Sequence, residues 1–97
     1  MKLTMIDRKS VYGFLKKCNV SKAKVSFVKM NLGKSNVGFG VDNDKLFTIV
    51  KVGERYGVAK RMTYGNKPDK YSTAIGFTIA LFRALFPNRP CSKKIFN

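Results

Sequence analysis

Nine basic residues against a single acid crowd the first 35 positions of this sequence, and the chemistry open to them is pairing with phosphate. Lys9, Lys16 and Lys17 come first, then Lys22, Lys24, Lys29 and Lys34. Lys60 and Arg61 form a smaller basic pair further along. Over all 97 residues, 20 Lys and Arg face five Asp and Glu, a formal net charge of +15. A field of that size draws polyanions, and self-repulsion on so small a chain favours a compensating partner. Lysine outnumbers arginine fifteen to five. Lysine meets phosphate as a point charge, whereas arginine more often reads guanine edges bidentately. The expected ligand is therefore a nucleic-acid backbone, DNA or RNA, bound with low sequence specificity.

The inventory for catalysis is poor. The chain has no His. Asp7, Asp42, Asp44, Glu54 and Asp69 all fall at a helix cap or in turns, where carboxylates have local work. Cys18 and Cys91 fit no zinc spacing, so no metal and no cofactor is expected, and no enzymatic activity. Gly33-Lys34-Ser35 has the ending of a phosphate-binding loop, but the glycine required five positions before it is Val28. Gly38-Phe39-Gly40-Val41 is similar to part of the aromatic strand signature of RNA-recognition and cold-shock domains, which makes Phe39 a candidate for base stacking. Its phase with Val37 and Val41 favours a place in the core.

The elements that must position these residues follow from pattern. Val11, Phe14, Leu15 and Cys18 recur at helical spacing, and Asp7 can cap a helix over 6–18. The lysines of this helix lie off its apolar face. Ala23, Val25 and Phe27 alternate with polar residues, then Val28, Met30 and Leu32 do so one step out of phase. That pattern predicts a strand over 23–32 with a bulge near Phe27-Val28. Packed beside the first helix, it would make one basic stripe. Strands are predicted over 37–41, 46–52 and 55–64, with Gly53-Glu54 as a two-residue hairpin turn. A loop over 65–69 leads to an apolar helix over 72–86, capped by Ser72 or Asp69 and stopped by Pro87. Phe77, Leu81 and Phe82 on that helix are candidates for burial or for a homodimer contact.

The fold class expected is α+β: an N-terminal helix, a four-stranded antiparallel sheet and a C-terminal apolar helix packed on the sheet, in the order α-β-β-β-β-α. One domain over 1–87 and a basic tail over 88–97 are expected. No stretch is long enough to span a bilayer, and the first residues lack a signal-peptide pattern, so no membrane partner and a cytoplasmic location are expected.

Residues 50–86 carry a resemblance. Tyr56-Gly57-Val58-Ala59-Lys60, then Lys67-Pro68-Asp69-Lys70-Tyr71, then Gly76-Phe77-Thr78-Ile79-Ala80-Leu81 resembles small phage and prophage proteins of Gram-positive bacteria. The resemblance implies a phage origin and a hairpin-plus-helix fold, and carries no activity. It leaves three expectations: a nucleic-acid-binding protein, an anti-defence or host-takeover inhibitor that docks on a host protein or ribonucleoprotein, and a basic virion component.

Overall fold

The computed structural model describes residues 2–61 and 72–87. Strand β1 (Thr4–Ile6) is followed at once by α1 (Arg8–Lys17) and α2 (Lys22–Leu32). Three strands come next, β2 (Val37–Val41), β3 (Phe47–Val52) and β4 (Arg55–Lys60), and then α3 (Thr73–Leu85). The class is α+β, with a four-stranded antiparallel sheet in the order β1-β2-β3-β4.

The order of elements corrects the expected α-β-β-β-β-α. The segment 23–32 is a helix, not a bulged strand. Its core-facing residues are Val25, Val28 and Leu32, at i, i+3 and i+7. An alternation that slips by one residue is also what a period of 3.6 produces. Ser21 caps α2, its hydroxyl accepting from Lys24 N at 3.3 Å, and Gly33 ends it. The fourth strand of the sheet is supplied instead by residues 4–6, which pair with β2 in the register Thr4↔Phe39 and Ile6↔Val37. The upper part of the expected strand 55–64, the loop over 65–69 and the tail over 88–97 lie outside the described residues.

Elsewhere local chemistry and structure agree. Asp7 caps α1, with Oδ1 accepting from Ser10 N at 2.8 Å. Gly53, at φ 58°, opens the two-residue turn that sets Val52 opposite Arg55. Ser72 caps α3, accepting from Ile75 N at 3.3 Å.

All three helices contribute to a core on one face of the sheet. Val37 and Phe39 of β2, Thr48, Val50 and Val52 of β3, and Gly57 and Ala59 of β4 share that face by strand alternation and register. Against them pack Val11 and Leu15 of α1, Val28 and Leu32 of α2, and Phe77, Ala80, Leu81 and Ala84 of α3. Phe14, Phe39 and Phe77 form its aromatic centre, with Phe77 4.8 Å from Phe14 and 5.5 Å from Phe39 between ring centroids. Phe77 and Leu81 are fully buried within the chain. Two of the three side chains considered for a homodimer contact are thus consumed in the core. Cys18 is a free buried thiol that accepts from Thr78 Oγ1 at 3.4 Å, and Cys91 lies outside the described residues.

The cap at Asp7 sets a pH dependence. The Ser10 backbone N–H holds the carboxyl below its ordinary value of 3.8, helped by the Ser10 hydroxyl and the charge of Lys9. A carboxyl whose pKa is lower folded than unfolded stabilises the fold above the unfolded value. That contribution is lost as pH falls through the folded value. Asp7→Asn keeps an acceptor at the cap but does not titrate. In urea unfolding, the advantage of wild type over Asp7→Asn is expected to be present at about pH 6 and gone by about pH 2. An advantage independent of pH would show that the charge of Asp7 does not act through folding.

Candidate nucleic-acid interface

The helical conformation of 22–32 rearranges the basic residues into two matched pairs. Lys9 and Lys16 on α1 are seven residues apart, as are Lys22 and Lys29 on α2. Seven residues is nearly two full helical turns, so each pair shares one side of its helix and spans about 10 Å. All four side chains are exposed.

The start of α1 meets the end of α2 and a short loop joins their other ends, so the two helices run in opposite directions. At one end, Lys29 Nζ lies 5.0 Å from the ring centroid of Tyr12, on the flank of α1 that also carries Lys9 and Lys16. At the same end, Arg8 Nη2 donates to the carbonyls of Gly33 at 2.6 Å and Ser35 at 3.0 Å, tying the start of α1 to the end of α2. At the other end, residues 18–21 connect the helices directly. Lys9, Lys16, Lys22 and Lys29 are thus exposed on two consecutive helices, and Lys29 reaches across to Tyr12.

The remaining candidates are placed differently. Lys17 is exposed on α1 but rotated about 90° from Lys9 and Lys16. Lys24 lies on the flank of α2 away from α1 and is only half-exposed. Lys34 is exposed and lines a shallow cleft of about 450 Å³ with Asp7, Arg8, Ser35 and Asn36, between the start of α1 and the loop into β2. Gly33-Lys34-Ser35 there follows a helix and precedes a strand, the reverse of a phosphate-binding loop. Lys60 lies on β4, on the sheet face away from the helices. Arg61 braces the turn between β2 and β3, donating from Nε to Lys45 O at 2.9 Å and from Nη2 to Asp44 O at 3.3 Å. Phe39 stands in the core against Phe14 and Phe77, so its ring serves packing rather than an incoming base.

Of the described acids, Asp7 lies at the start of α1, where it interacts with the charge of Lys9. Asp7 is engaged at its cap, and Asp42 Oδ1 accepts from Leu46 N at 2.7 Å and Phe47 N at 2.9 Å. Asp44 and Glu54 lie in the turns on either side of β3. Among the described residues, no three of His, Cys, Asp and Glu come together as a metal site. No described helix is long and apolar enough to cross a membrane.

Sequence reasoning missed Arg8 and Tyr12, because both gain their role from a helix pairing that a strand at 23–32 hides. It also missed Lys51 and Tyr56. They sit opposite each other on β3 and β4, with Lys51 Nζ 5.4 Å from the Tyr56 ring centroid, a pairing legible once the hairpin register is fixed. No family model, curated protein or solved structure matches the chain.

Proposed function

We propose that the chain is a non-enzymatic nucleic-acid-binding protein of phage type, working in the cytoplasm of a bacterial host. It holds DNA or RNA mainly through lysine–phosphate contacts with low sequence specificity. The observation that carries this reading is the exposed pairs Lys9/Lys16 and Lys22/Lys29, each spanning about 10 Å of its helix, on two helices tied together by Arg8 and the Lys29–Tyr12 contact. Such point charges meet phosphates and read no base. The test is fluorescence-anisotropy titration with duplex DNA, single-stranded DNA and RNA at low and high salt. Affinity that falls steeply with salt is expected, and an absence of binding at low salt would sink the reading.

A second reading has its own observation. Phe27 and Met30 on the outer side of α2 are 57% and 76% exposed, with Lys24 one turn before Phe27 and Lys29 next to Met30. An apolar ridge edged by lysines suits docking on an acidic host protein or a ribonucleoprotein, as an anti-defence inhibitor would. Pull-down from host lysate with and without nuclease separates the two. A stoichiometric protein that survives nuclease and is lost with Met30→Glu favours the inhibitor.

A further inference from the structure

The sheet has a second face, and no described helix covers it. By register its residues are Phe47, Ile49 and Lys51 on β3 opposite Lys60, Val58 and Tyr56 on β4. Phe47 is 37% exposed and Tyr56 is 58% exposed. Each ring has a lysine above it, Lys60 Nζ at 5.7 Å from the Phe47 centroid and Lys51 Nζ at 5.4 Å from that of Tyr56. The six residues thus read aromatic–lysine, aliphatic–aliphatic, lysine–aromatic. Phe47 and Lys51 are four residues apart on one strand, so the two aromatic–lysine units lie about 13 Å apart. Next to them on β2, Gly38 and Gly40 raise no side chain on this face.

We propose that this face stacks the bases of single-stranded nucleic acid, one on Phe47 and one on Tyr56, with Lys60 and Lys51 on the flanking phosphates. The inference rests on the nucleic-acid reading above and assigns it a second, strand-selective surface. A duplex hides the faces of its bases, whereas a single strand presents both a base face and a phosphate to a ring with a lysine beside it. Charge complementarity selects this occupant. Its described β3 and β4 residues include two lysines and no acid, on a chain of net charge +15. A second copy of the chain would bring the same cations to the same place and be repelled. The platform is also fixed in place. Asp42 holds the backbone N–H of Phe47 at 2.9 Å, and Arg61 clamps the turn that leads into it.

The experiment compares labelled oligothymidylate and oligouridylate of about 12 nucleotides with a duplex of similar length. Wild type is set against Phe47→Ala/Tyr56→Ala and against Phe47→Leu/Tyr56→Leu, which keeps apolar surface without a ring. Both double variants are expected to lose about ten- to a hundred-fold in single-strand affinity, with duplex affinity unchanged. Circular dichroism confirms that each is folded, and the leucine pair serves if the alanine pair is not. Single-strand binding undiminished in the folded variants overturns the sheet-face site and leaves the nucleic-acid reading standing. Wild type that binds neither strand form removes both. A wild-type dimer in sedimentation that Tyr56→Ala disperses, with single-strand affinity retained, makes the face a contact between copies and overturns the proposal.

Discussion

Replacing Gly57 by alanine is expected to cost the fold about 3 kcal/mol or more, a large part of what a domain of this size has to lose. Gly57 lies on the helix-covered face of β4, opposite Val50. A Cβ there would overlap the carbonyl oxygen of Ala80 and sit 2.5 Å from the backbone nitrogen of Ala84. Both obstacles are main-chain atoms of α3, so no side-chain rotation relieves them. The helix would have to lift from the sheet, and Phe77, Leu81 and Ala84 would leave the core with it. Urea unfolding followed by circular dichroism measures the effect. Gly13→Ala is the control: it lies within α1, a Cβ there meets nothing within 4 Å, and alanine is the better helix former. That variant is expected to gain about 0.5–1 kcal/mol. Equal unfolding midpoints for Gly57→Ala and wild type would mean that α3 does not rest on β4 at this point.

The second large effect concerns binding. Neutralising Lys9, Lys16, Lys22 and Lys29 together by Lys→Gln is expected to flatten the dependence of log affinity for duplex DNA on log salt by about three to four units. Four lost counterion-releasing contacts account for that figure at about 0.9 each. Low-salt affinity should fall at least about a hundred-fold, while the unfolding midpoint stays close to wild type because all four side chains are exposed. Lys17→Gln alone, turned about 90° from Lys9 and Lys16, should change the slope by less than one unit. A quadruple variant with the wild-type slope would move the phosphate contacts off the hairpin.

Much of the fold was legible locally. The caps at Asp7 and Ser72 and the Gly53-Glu54 turn follow from residue types at fixed offsets, because each depends on one or two local hydrogen bonds, and the strands over 37–41 and 46–52 show in their alternation and β-branched content. Helix α2 was not legible for a specific reason. Phe27 and Met30 face outward, so the apolar residues of this segment do not gather on one side, and β-branched Val25 and Val28 add a strand-like bias. Tertiary packing of Val28 and Leu32 into the shared core decides the matter, and that is not a local property. Strand β1 escaped because a three-residue strand has too little alternation to be read and forms only by pairing with β2. The basic segment of the candidate site was visible as composition. Its geometry was not, since the matched lysine pairs exist only once 22–32 is helical. Phe39 drew attention through its glycine neighbours, while Phe47 and Tyr56 drew none, because which sheet face is open depends on where three helices settle.

The outermost strand carries a further consequence. In the sheet order β4 is an edge, and Arg83 reaches from α3 to donate from Nη1 to the carbonyl of Val58 at 2.7 Å. An edge strand with free main-chain groups is a template on which other chains can add strands and grow aggregates. The guanidinium occupies one of those acceptors and sets a positive charge at the border. A protein that gathers along a polyanion reaches high local concentration, the condition under which edge-to-edge growth is fastest. Arg83→Leu should therefore leave the monomer folded yet shorten its life in solution, seen as faster turbidity growth when nucleic acid is added. Equal turbidity for Arg83→Leu and wild type would place the protection of this edge elsewhere.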